Sequence, residues 1–224
     1  MKVFRFGNPA LWNTLLLVSL FIAIFILPVL PVNLHRALFR AAYTLIYLFA
    51  ILSLEKRGKF LLSLFIFTLA IEWLSGVFDL SILAIAAKFV NIVFFLVITG
   101  LLISQIASAK KVSAGIILGS VAGYLLLGLA FSIFVMFIMQ NDPGAFSSQP
   151  GQAVENGKNM QQGVPLYFSF VTLATLGYGD ILPLKAYTRS LAEFIAVSGQ
   201  FYIAVIVALL VGKFSAQQGL FHDE

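Results

Sequence analysis

Residues 172–180 read T-L-A-T-L-G-Y-G-D, a run in which backbone atoms rather than side chains are placed to do chemistry. A monovalent cation that sheds its water needs a ring of oxygen ligands in its place, and backbone carbonyls can supply that ring. Carbonyls line up in a row only if successive residues alternate between right- and left-handed backbone. Gly177 and Gly179 tolerate positive φ without steric cost. Leu176 and Tyr178 then point outward and brace the loop against surrounding protein. Thr175 adds a hydroxyl oxygen at the inner end of the row. The spacing predicts an ion selectivity filter formed by Thr175, Leu176, Gly177, Tyr178 and Gly179, with Asp180 at its mouth.

Such a loop must be held by flanking elements, and the sequence offers them. Residues 164–175 are apolar, about three helical turns long and too short to cross a bilayer, with Pro165 suited to a first turn. They predict a re-entrant helix whose C-terminal carbonyls face the pore and favour a cation there. Residues 140–163, rich in Ser, Asn, Gln, Pro and Gly, predict an extracellular loop that is either solvated or binds a partner. The chain as a whole is 61% hydrophobic and only 10% charged, with 23 Phe. Its mean hydropathy is +1.02, which no soluble core accommodates. The expected fold is an all-α membrane protein with spans over 11–30, 34–54, 59–78, 80–109, 113–139 and 190–212.

The first span, preceded by Lys2 and Arg5, is also compatible with a signal peptide, but it is long and lacks a small-residue cleavage site. Six spans put both termini on one side. With the termini cytoplasmic, Lys2, Arg5, Lys56, Arg57, Lys59, Lys110, Lys111 and Lys213 lie inside, and Arg36, Arg40, Lys158, Lys185 and Arg189 lie outside or near the outer ends. That bias agrees with a filter facing outward. The expected location is the cytoplasmic membrane, multi-pass, with the lipid bilayer as surroundings. The cations read as topology signals, so no nucleic acid is expected. There is no cysteine, and the two histidines, His35 and His222, are far apart, so no enzyme chemistry and no cofactor are expected. The tail His222, Asp223, Glu224 is read as a terminus rather than a metal site.

T-L-G-Y-G-D resembles the signature of tetrameric potassium channels, usually T-V-G-Y-G-D, with Leu176 for the commoner valine. The likeness is to bacterial six-span types with one pore loop per chain and no cytoplasmic domain. It implies potassium as the permeant ion, held at Thr175, Leu176, Gly177 and Tyr178. It also places tryptophans where this chain has Tyr167 and Phe168, implying a looser aromatic cuff around the filter tyrosine. Val171 stands where some relatives have a glutamate paired with the filter aspartate, which leaves Asp180 freer. One loop cannot make a ring, so a fourfold homotetramer follows from the mechanism.

The resemblance also places a gating-hinge glycine at Gly199, although close helix approach would equally call for one. Gln200, Ile203, Val207 and Val211 follow at helical spacing and are expected to line the cavity, with the three apolar residues able to close it by dewetting. Gly115, Gly119, Gly123 and Gly128 form a small-residue stripe for helix packing. Residues 1–110 are read as a voltage-sensor-like domain without a charged fourth helix, and 111–224 as the pore domain. Lys88 stands alone where a sensor needs a basic residue at every third position. Glu72 is expected to pair with Lys88 or Arg40, as a structural ion pair or a sensing site. The predicted function is a potassium channel with weak or no voltage gating. A less selective cation channel, an ion transporter and a non-conducting subunit are the alternatives.

Overall fold

The computed structural model describes residues 9–54, 63, 65–71, 74, 81–109, 112–148 and 163–219. Helix α1 (Pro9–Phe21) continues into a π-helical turn, Ile22–Ile26, and a 3₁₀ turn, Leu27–Val29. The cause is Pro28, which has no N–H to donate and whose ring crowds the carbonyl four residues back. The widened turn accommodates it, with the Leu27 N–H reaching back to the Ile22 carbonyl. Pro31, extended at φ −58° and ψ 138°, then reverses the chain into α2 (Val32–Ser53).

Next come α3 (Ser81–Ser108) and α4 (Ala114–Asn141), joined by a short link. After α4 come strand β1 (Phe146–Ser148), helix α5 (Gly163–Leu173), strand β2 (Ile181–Pro183) and the long α6 (Ala186–Gly219). The first, fourth, fifth and sixth expected spans appear as helices long and apolar enough to cross a membrane, covering Ala10–Val29, Phe89–Ser108, Ala114–Asn141 and Ala186–Gln217. The apolar part of α2, Ala37–Ser53, is shorter. Most of the expected third span lies outside the described residues, as do Glu72, residues 149–162 and the tail His222–Glu224.

Helix α4 is the centre of the packing, touching α1, α3 and α5 along its length and α6 more narrowly. Its glycines show why. Ala10 of α1 sits over Gly115, Asn13 over Gly119, the Tyr202 hydroxyl over Gly123 and the Phe170 ring over Gly128. In lipid there is little hydrophobic force between helices, so this close approach supplies the contact energy. Asn13 adds a buried hydrogen bond, its Nδ2 donating to the Gly115 carbonyl at 2.7 Å.

Helices α2 and α3 join through rings instead. Tyr47 meets Phe94 edge-on with centroids 4.7 Å apart, and Phe95 at 5.2 Å. Each such pair contributes about 0.5–1.5 kcal/mol beyond burial. The expected boundary at residue 110 falls in the link between α3 and α4. Packing does not break there, since one core runs from Leu16 and Tyr47 through Phe94 to Leu126 and Leu166.

The described fold departs from an all-α reading at one place. Strands β1 and β2 pair antiparallel, Phe146 opposite Pro183 and Ser148 opposite Ile181. This ribbon brackets the segment that carries α5 and the candidate filter. Buried Ala145 anchors it, its carbonyl accepting from Leu184 N–H at 2.9 Å and from the Thr188 hydroxyl at 3.1 Å.

Candidate selectivity filter and inner helix

Helix α5 ends at Leu173, two residues before the end expected from the sequence. Its last turn then feeds the loop. Ala174, Thr175 and Leu176 donate their N–H groups to Phe170, Thr172 and Val171 respectively, each at 2.9 Å. Three of the helix's terminal carbonyls therefore hold the segment that follows it.

Thr175, Gly177 and Gly179 have φ of 57°, 56° and 76°, and no other described residue has positive φ. Left-handed backbone thus recurs at every second residue across the motif. The glycines were legible in advance. Thr175 was not, because a β-branched residue in this region costs about 1–2 kcal/mol and needs outside support. Gln200 supplies some of it, its Nε2 donating to the Thr175 hydroxyl at 3.3 Å, while that hydroxyl donates to the Ala174 carbonyl at 2.7 Å.

The flanks of the loop are bare within one chain. Leu176 is 58% and Tyr178 67% exposed, and a Cβ placed on Gly177 or Gly179 would meet open space. The bracing expected of Leu176 and Tyr178 is not provided by their own chain.

Asp180 is held more firmly than the sequence suggested. With Val171 in place of a glutamate, its carboxylate was expected to be freer. Instead the Tyr167 hydroxyl donates to Asp180 Oδ2 at 2.6 Å, and the Ile181 N–H to Oδ1 at 3.1 Å. The carboxylate beside it pushes the Tyr167 phenol up to about 12, so it remains a donor at neutral pH. Phe168, expected to contribute to a cuff around Tyr178, turns onto the ribbon and packs edge-on against Phe146 at 5.0 Å.

The loop is braced a second time at the start of α6. Asp142, just past α4, accepts hydrogen bonds from the Lys185 ammonium and the Tyr187 hydroxyl. Those bonds hold the Asp142 carboxyl below the usual carboxylate range and raise Lys185 above its ordinary value. The sequence placed Asp142 in a loop, but not its pairing with a lysine more than forty residues on.

Helix α6 runs unbroken through Gly199. A Cβ there would drive into the Leu173 carbonyl at the end of α5, with the Leu173 carbonyl carbon and Cδ1 both 3.0 Å away. Packing therefore accounts for this glycine whether or not it also bends. Below it the helix has two faces. Tyr202 and Ile206 are buried, the Tyr202 hydroxyl donating to the Ser120 carbonyl at 2.6 Å. Gln200, Ile203, Val207 and Val211 lie exposed in the single chain, as do Phe201 and Val205 beside them. Of the expected ion pair, Arg40 lies on α2, the Lys88 side chain is not among those described, and Glu72 lies outside the described residues.

Residues 124–216, from the middle of α4 through α5, the loop and most of α6, match a family model described as an ion channel. The chain is also 29% identical over 114 residues to Protein LctB of Bacillus caldotenax, a match spanning 51% of this chain and 84% of that protein. No solved structure matches the chain.

Proposed function

We propose that the chain, whose residues 124–216 match an ion-channel family model, is a channel of the tetrameric potassium type that conducts potassium passively as a homotetramer. The observation that carries this reading is the left-handed backbone at Thr175, Gly177 and Gly179 within T-L-G-Y-G-D. Four copies of this loop around an axis give stacked rings of carbonyl oxygens that replace the hydration shell of potassium at Thr175, Leu176, Gly177 and Tyr178. Asp180 draws cations to the mouth. The bare flanks at Leu176 and Tyr178, and the bare apolar length of α6, are the surfaces that neighbouring copies would cover. On this reading the chain has six spans, cytoplasmic termini and a pore domain over 111–224. The preceding helices respond weakly or not at all to voltage, and Ile203, Val207 and Val211 close the inner pore.

The test is the reversal potential of the purified protein in planar bilayers with potassium on one side and sodium on the other. Reversal near the potassium equilibrium value is expected. Reversal near zero would mean a less selective cation channel. Silence at every voltage and pH would favour a transporter or a non-conducting subunit.

A further inference from the structure

The inner end of α6 makes a contact that the filter does not explain. Lys213 Nζ donates to the carbonyls of Ile106, Ala107 and Ala109 at 2.6, 2.6 and 2.7 Å. These carbonyls close the last turn of α3 and open the link to α4. A helix end leaves its final carbonyls without intrahelical donors, and a cation there also meets the negative end of the helix dipole. An ammonium has three N–H donors, and here each has an acceptor. One turn further along α6, Gln217 Oε1 accepts from the Val112 N–H at 3.3 Å. The end of α6 thus holds both ends of the link between α3 and α4.

The side on which Lys213 sits gives the contact a direction. Tyr202, Ile206 and Lys213 follow one another at helical spacing on the face turned toward α3 and α4, away from Val207 and Val211. Gly199 pins α6 against α5, and Lys213 lies roughly 21 Å beyond it at about 1.5 Å per residue. A stiff helix pinned at one point and held at its far end has the position of its exposed face fixed between them.

We propose that Lys213 is a positioning residue for the inner gate: by capping α3 it draws the end of α6 away from the pore axis and favours the open state. This rests on α6 lining the pore.

The test measures open probability of the full chain in planar bilayers. Lys213→Met is expected to lower it at least about tenfold, since three charge-assisted bonds are lost, with the potassium-over-sodium reversal unchanged. Lys213→Arg, whose planar fork cannot aim three donors from one nitrogen, is expected to give a smaller decrease. Lys213→Ala is expected to recover when n-propylammonium is added to the cytoplasmic side and not when n-propanol is. A purely structural cap would lower the melting temperature of the assembled variants and leave the open probability of those that assemble unchanged. Should Lys213→Met fail to assemble, the Arg and Ala variants decide. Unchanged or increased opening in the variants, alongside a selective wild-type current, overturns the latch alone. Absence of selective current in the wild type overturns the channel reading and the latch with it.

Discussion

Gln200 on α6 donates to the hydroxyl of Thr175 at 3.3 Å, tying α6 to the foot of the candidate filter loop. Thr175 is also the one non-glycine among the described residues with positive φ. The bond therefore supports the most strained residue of the loop and occupies a lone pair that would otherwise be available to a cation. Gln200→Leu is expected to leave selectivity intact and change unit conductance by about fivefold, the effect of one net hydrogen bond of about 1 kcal/mol. Single-channel recording tests this. The same change in a Thr175→Val background should do nothing further, and an equal effect there would show that Gln200 acts elsewhere.

At the outer end, Tyr167→Phe removes the donor to Asp180 while keeping the ring. The expected result is a lower unfolding temperature for the assembled protein, by a few degrees. The wild-type advantage should also have a defined alkaline limit. The Tyr167 phenol is pushed up to about 12 in the fold. A raised value means the contribution is complete below the unfolded value, near 10, and disappears as pH rises through about 12. Parallel melts of wild type and variant between pH 8 and 12 (~4 pH units) would show the gap closing only at the top of the range.

Acid should release the other brace. Asp142 is held below the usual carboxylate range, chiefly by Lys185 and then by Tyr187. Its contribution is present above the unfolded carboxylate value of about 4 and is lost as pH falls through the lower folded value. Asp142→Asn should be less stable than wild type at neutral pH and indistinguishable from it in strong acid. A gap that persists in acid would place the effect in packing and not in charge.

Gly199 and Gly128 separate packing from bending. Gly199→Ala is expected to abolish folded assembly by size-exclusion chromatography, because its Cβ would occupy the space of the Leu173 carbonyl. A hinge with free space around it would accept alanine, and a well-assembled variant with altered gating would establish that alternative. Gly128→Ala meets the Phe170 ring, which can turn aside, so a loss of about 1–3 kcal/mol is expected rather than collapse. Denaturation in detergent measures it.

The left-handed backbone at Gly177 and Gly179 was legible because glycine at every second position has few other uses inside an apolar chain. The stripe on α4 was legible for the same reason, though not what lies on it. Thr175 was hidden because its residue type argues against the conformation it adopts. The Tyr167–Asp180 bond was hidden because a tyrosine on an apolar helix does not announce an acceptor on the following loop. Lys213 was counted only as a topology charge, since its acceptors are backbone carbonyls, which no side chain in the sequence marks. Asp142 was read as part of a loop and Lys185 as an outer topology charge, because their pairing depends on the ribbon, and three-residue strands leave almost no pattern.

The stripe on α4 also bears on how the protein is made. Ala10 and Asn13 of α1 rest on Gly115 and Gly119, about a hundred residues later in the chain. During synthesis α1 therefore enters the membrane well before its partner leaves the ribosome. Asn13 must wait there without the Gly115 carbonyl, a condition that invites interim shelter from the insertion machinery. Once α4 arrives, it receives α1 on one stretch and Phe170 and Tyr202 on the next, so α1, α5 and α6 become locked to the same rod.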